Sequence, residues 1–213
     1  MWMDWDETNT NNGGEPKIAD KPKFAPPAGR FDMLLPADEE TLAVDEKAAS
    51  IYLRAMIDMV GRTQQPLTLA CVAADELPLI SFLGPDATAL IGKAMVRCMR
   101  QETRDYDVVS RLHVPGMPLV FIITCPMQGE DKVKQLTHRL QLAMTAVSPR
   151  GEAPWLSVSA GIASLSLDAS DAESLRSRAV AALRRGRASG PGTLWTHGDT
   201  LNMLIAEDSN PQE

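Results

Sequence analysis

Val108-Val109-Ser110-Arg111-Leu112-His113-Val114-Pro115-Gly116-Met117-Pro118-Leu119-Val120-Phe121-Ile122-Ile123-Thr124-Cys125 is the stretch from which the fold is read. Two runs rich in Val, Ile and Phe, Val108–Val114 and Leu119–Cys125, flank Pro115-Gly116-Met117-Pro118. β-Branched and aromatic residues favour extended chain. Pro-Gly marks a turn, because proline fixes one φ and glycine accepts a positive one. The stretch reads as two antiparallel strands joined as a hairpin, with 115–118 as the turn.

Outward from the hairpin, helical and extended patterns alternate. Between Asp38 and Arg62, apolar residues recur at Leu42, Ala48, Ile51, Tyr52, Ala55, Met56, Met59 and Val60, which is helix spacing, and Gly61 stands near the stop. Leu67–Ala74, after Pro66, is a short apolar run that reads as a buried strand. Asp86–Arg100 and Lys132–Val147 repeat the helical pattern on either side of the hairpin, and Leu156–Leu165 reads as a strand. Ser170–Ser189 opens with Ser-Asp-Ala-Glu, a cap followed by early acid, and closes with arginines before Gly190. Gly192–Trp195 is a short last strand. The order α-β-α-β-β-α-β-α-β places two βα units around the hairpin. That is an α+β fold: a ferredoxin-like sheet of the nucleotide-cyclase type, with a central β-hairpin and helices packed on the sheet.

The ends differ from this middle. Residues 1–30 carry Asn9-Thr10-Asn11-Asn12-Gly13-Gly14 and four prolines without hydrophobic periodicity, and read as a disordered acidic tail in which Trp2 and Trp5 form a candidate docking pair. Residues 198–213 end polar and read as a second loose tail after a short apolar turn. The globular unit is expected over 31–197. Of the net charge of −7, residues 1–50 hold −6, so the folded part is nearly neutral and gives no bulk electrostatic case for nucleic acid or an anionic membrane. No run approaches the roughly 18 apolar residues of a transmembrane helix, and the acidic start is unlike a secretory signal. Cys71, Cys98 and Cys125 lie at least 27 residues apart in apolar stretches, which fits buried thiols of a reducing compartment. The expected location is cytoplasmic.

Three stretches carry a family resemblance. Ser157-Val158-Ser159-Ala160-Gly161-Ile162-Ala163 is similar to the S-x-G-[IV]-A strand of GGDEF domains, the diguanylate cyclase family of bacterial signalling. Ala179-Val180-Ala181-Ala182-Leu183-Arg184-Arg185-Gly186-Arg187-Ala188-Ser189-Gly190 resembles that family's A-D-x-A-L-Y-x-A-K-x-x-G helix end. Arg104-Asp105-Tyr106-Asp107-Val108-Val109-Ser110-Arg111-Leu112 resembles the segment leading into its signature hairpin. The resemblance runs from about Asp38 to Trp195.

The resemblance implies condensation of two GTP molecules to cyclic di-GMP, with divalent metals doing much of the work. Against that expectation, His113-Val114-Pro115-Gly116-Met117 stands in the signature position, with a longer turn and no carboxylate. The first-strand metal position falls on Ala73, and Asp75 matches the second acid of the family's D-x-D. The phosphate lysine falls on Pro78, the guanine-reading residues on Ser81 and Ala89, and the first-helix asparagine on Asp45. Arg187 takes the place of the C-terminal phosphate lysine and is the phosphate-facing candidate, while the arginine beyond it is Pro191. Mg²⁺ needs converging oxygen ligands, so no catalytic residue, metal or cofactor is assigned. Asp75 and Glu76 remain the candidate acids for a rearranged metal site.

Arg104-x-x-Asp107 matches the family's product-binding RxxD motif. An arginine forks onto phosphate or the Hoogsteen edge of guanine, and the acid accepts from guanine N–H groups. The structural alternative is that the pair caps a helix end and a strand start. The functional expectation is a catalytically inactive, degenerate GGDEF-like signalling module that acts by binding. Cyclic di-GMP at Arg104 and Asp107, a protein partner and self-association are all open. The alternative is an active diguanylate cyclase with rearranged metal ligands.

Overall fold

The computed structural model describes residues 29–75, 84–145, 156–165 and 171–208, with side chains to 202. A 3₁₀ turn over Phe31–Leu34 leads to α1 (Glu46–Thr63), β1 (Leu67–Ala74), α2 (Pro85–Glu102), β2 (Val108–Val114), β3 (Met117–Pro126), α3 (Glu130–Thr145), β4 (Val158–Ser164), α4 (Ala172–Ser189), β5 (Leu194–Thr196) and α5 (His197–Asp208). The sheet order is β2-β3-β1-β4-β5. All pairs are antiparallel except β4 with β5.

β1 lies in the centre, which explains its unbroken apolar run: every residue from Leu67 to Ala74 is buried. Alternate side chains serve two cores. Ala70, Val72 and Ala74 pack with Phe121, Met95 and Leu140 beneath α2 and α3. Leu67, Leu69, Cys71 and Ala73 pack with Leu53, Leu175 and Leu183 beneath α1 and α4. Gly161 explains the small residue in the Ser159-Ala160-Gly161 strand. A Cβ there would stand 2.1 Å from the Leu183 nitrogen and 2.2 Å from the Ala179 oxygen, because α4 rests directly on the β4 backbone.

Several expected boundaries move. α1 begins at Glu46, not Asp38. The Asp45 carboxylate accepts from the Ala48 N–H and caps the helix there, while Asp38 accepts from the Thr41 N–H and hydroxyl and closes a turn of its own. Within this hook Val44 donates to Val109 O and accepts from Arg111 N–H, covering the outer edge of β2.

The expected longer hairpin turn is absent. Val114 pairs with Met117, so the turn is Pro115-Gly116 alone, with Gly116 at φ +78°. The ladder register shifts between Leu112 and Val114, and this irregularity lets a short turn close the hairpin. The expected loose tail from 198 is helical over His197–Asp208. Thr196 N–H donates to Asp199, Asp199 N–H donates to Thr196 Oγ1, and this reciprocal cap starts the helix. Arg30, assigned to the first tail, is 3% exposed and belongs to the folded unit. Residues 1–28 and 209–213 lie outside the described residues. The three cysteines are buried as expected.

Candidate functional site

The first candidate region is the end of β1. Ala73 is fully buried and faces the α1/α4 core, paired with Val120 and Ser159. Asp75 follows where the strand ends. Its N–H donates to Ser157 O, and its carboxylate accepts from Ser157 Oγ and Gly192 N–H, each at 2.8 Å. Arg187 Nε lies 3.4 Å from the other carboxylate oxygen, with the Asp75 side chain 7% exposed. Strand β1, the approach to β4, the end of α4 and the loop before β5 are joined through this one carboxylate. The phosphate-facing candidate Arg187 is one of its partners.

Of the other family positions, Asp45 is a helix cap, and Ala89 is half-buried on α2. Glu76, Pro78 and Ser81 lie outside the described residues. Among the described residues, no three His, Cys, Asp or Glu side chains converge to hold a metal ion. Of the two candidate acids for a rearranged metal site, Asp75 is engaged by protein donors and Glu76 lies outside the described residues.

The second region is the hairpin. Its tip borders an open groove of about 560 Å³ lined by Arg111, His113 and Val114–Pro118. Among the described residues no carboxylate lines it. His113 Nδ1 lies 3.1 Å from Glu46 Oε2. Arg111 runs inward, donating to Val120 O and Pro118 O, with its guanidinium carbon 5.3 Å from the Phe121 ring centre. Burial lowers the Arg111 pKa, against the opposing pull of Asp38, Glu40 and Glu46.

The third region is the Arg104–Asp107 turn between α2 and β2. The Asp107 carboxylate is fully buried. It accepts from Arg104 N–H and Gln128 Nε2, each at 2.9 Å. Burial raises its pKa, opposed by those two donors and by the charges of Arg104 and Arg30. The carboxylate therefore shapes the turn from within. The Arg104 side chain points the other way: Nη1 donates to the Tyr106 hydroxyl at 2.7 Å, and the guanidinium lies 5.8 Å from that ring's centre. Tyr106 is 40% exposed. The motif thus places an arginine and an aromatic ring at the surface and its acid below it. Tyr52 OH donates to Tyr106 O from beneath. Sequence reasoning missed Gln128 and Arg30, and no local pattern links either to Asp107.

No family model matches the sequence, and no curated protein matches it. Solved structures do. The GGDEF-only form of YfiN (TpbB) from Pseudomonas aeruginosa superposes with a TM-score of 0.69 at 16% identity, over 80% of this chain and 99% of that one. The diguanylate cyclase SiaD from Pseudomonas aeruginosa, solved in complex with its activator SiaC, gives 0.67 at 20% identity over 75% of this chain; this chain spans 61% of that one. The GGDEF domain of DgcB from Caulobacter crescentus, in complex with cyclic di-GMP, gives 0.65 at 16% identity over 76% of this chain and 92% of that one. The chain has the fold of a GGDEF domain, as the three quoted stretches implied. Architecture alone does not fix chemistry, which rests on the residues themselves.

Proposed function

We propose that this chain is a GGDEF-like signalling module that works by binding and does not condense GTP. The observation that carries the reading is the mutual occupancy of Asp75 and Arg187. Phosphoryl transfer between nucleotides relies on cations and metal ions aimed at phosphate oxygens. Here the strand position for a metal ligand is a buried methyl, and the nearest described acid accepts from two protein donors and pairs with Arg187. Arg187, the candidate phosphate-facing cation, is that ion-pair partner, so a nucleotide would have to break this junction to reach it. A cyclase with rearranged ligands has no metal-binding acid cluster among the described residues from which to start.

For the ligand, cyclic di-GMP at the Arg104 turn is the reading that the exposed guanidinium and Tyr106 support. Arginine forks onto phosphate or guanine, and an aromatic face accepts a stacked base. Asp107 then acts by holding the turn. DgcB is solved with cyclic di-GMP, which makes this ligand the natural probe. A protein partner is the second reading. It is supported by the exposed Phe31, which bonds to Asp105 of this turn, by exposed Leu34 and Leu42 in the same N-terminal stretch, and by SiaD being solved with an activator.

Isothermal titration with GTP–Mg²⁺, pGpG and cyclic di-GMP tests the proposal. The expected result is heat with cyclic di-GMP that disappears in Arg104→Ala, and none with GTP–Mg²⁺. Equal heat in Arg104→Ala would end the receptor reading. GTP heat that depends on Asp75 would end the non-enzymatic one.

A further inference from the structure

Beneath the Arg104–Asp107 turn lies a buried charged cluster from a distant part of the chain. Arg30 uses all five of its N–H donors. Nη1 donates to Arg100 O and Thr103 O, Nη2 to Thr103 Oγ1 and Asp107 O, and Nε to Asp32 Oδ1. The other oxygen of Asp32 accepts from Arg100 Nε at 2.8 Å. The Arg30 and Asp32 side chains are 1% and 0% exposed. Phe31 N–H adds a bond to Asp105 O, and the Phe31 ring lies 5.3 Å from that of Tyr52.

The carbonyls of the turn are satisfied almost entirely from below. Thr103 O and Asp107 O bond to Arg30, Asp105 O to Phe31 and Tyr106 O to Tyr52, while Arg104 O accepts from Asp107 N–H within the turn. Two of these four residues belong to the segment by which the chain enters the domain. Arg30 and Arg100 both meet the Asp32 carboxylate, so losing Asp32 leaves the buried Arg30 guanidinium without its counter-charge.

From this we infer that Arg30 is a positioning residue: it fastens the entering segment, Gly29–Leu34, to the underside of the Arg104 turn, so the seating of that segment sets how Arg104 and Tyr106 are presented. This makes the end of the N-terminal segment a control point for the surface that the proposed function assigns to a ligand, and in that respect it rests on that reading. The fastening itself does not depend on the ligand. A lysine at 30 keeps the charge opposite Asp32 but lacks the planar fork that reaches carbonyls on two sides. Arg30→Lys therefore separates charge from fastening.

Amide hydrogen exchange on the full chain, comparing wild type with Arg30→Lys and Asp32→Asn, tests it. In both variants the Arg104 and Asp107 amides are expected to exchange about tenfold faster or more, the range of local opening. Amides of β1 and β3 should keep their wild-type rates. Unchanged exchange at Arg104 and Asp107, or acceleration of all amides together, would overturn the inference. A second arm adds cyclic di-GMP to wild type. Coupling is reciprocal, so ligand at Arg104 should slow exchange at Phe31 and Asp32. Binding in titration without that slowing also contradicts the inference. If no binding is found, the receptor reading alone fails, and the ligand-free arm still decides the fastening.

Discussion

The end of central strand β1 and the Arg104 turn before edge strand β2 both gather charged residues, but they dispose of charge in opposite ways. At the end of β1 the acid and the cation meet each other: Asp75 accepts from Ser157 and Gly192, and Arg187 Nε lies 3.4 Å from its other oxygen. At the turn the Asp32 carboxylate meets Arg30 and Arg100 below the surface. Arg104 is left outside, its side chain meeting the hydroxyl and ring of Tyr106. Charge that closes on itself stabilises a corner. Charge held underneath can position a cation for something outside.

The largest predicted effect removes the sheet that both regions share. Gly161→Val should abolish cooperative folding, since any Cβ at 161 meets the α4 backbone. Thermal unfolding followed by circular dichroism checks this; a cooperative transition near the wild-type temperature would contradict the packing. Next, Asp75→Asn should destabilise by about 2 kcal/mol, the scale of a hydrogen bond to a charged group. Arg104→Ala should stay within about 0.5 kcal/mol of wild type, as surface changes do. Urea midpoints of the two variants side by side measure the contrast, and equal losses would erase it.

The fold was legible where pattern and chemistry agreed. The Val108–Val114 strand, the Leu67–Ala74 strand and the end of α4 at Ser189 stand where periodicity placed them. α5 was missed although Thr196 and Asp199 carry a capping signal, because a polar chain end was read as loose. The hook before α1 was missed because Leu42 continues the helical spacing of apolar residues. Its φ of +64° and the competing Asp45 cap break the helix there. The candidate site was legible as residue types and not as contacts. That Asp75 meets Arg187 follows from sheet order, and that Arg30 meets Asp107 follows from a 77-residue separation that no local window spans.

Smaller effects sharpen the comparison further. Burial pushes the Cys71 thiol up to about 12 and the Cys98 thiol to about 11. Neither should react with a thiol reagent at pH 8 until the chain unfolds, because the thiolate is the reactive form. Rapid labelling of the native protein would contradict the packing of both cores. The smallest effect concerns Asp107. Its folded pKa is raised above 3.8, so the folded state binds its proton more tightly than the unfolded state. The stability it contributes is fully present below pH 3.8 and is lost as pH rises through the folded value. Asp107→Asn, whose amide still accepts from Arg104 N–H, should flatten that part of the stability profile, provided the Gln128 amide turns its oxygen inward. Urea unfolding from pH 3 to 7 reads this, and an unchanged slope would argue against a buried, proton-retaining carboxylate.

The most direct test of the central claim is product analysis after incubation of the full chain with GTP and Mg²⁺ or Mn²⁺. With Asp75 and Arg187 closed on each other, no cyclic di-GMP should appear with either metal. Cyclic di-GMP formed by wild type and lost in Asp75→Asn would show that this corner performs the condensation and contradict the account.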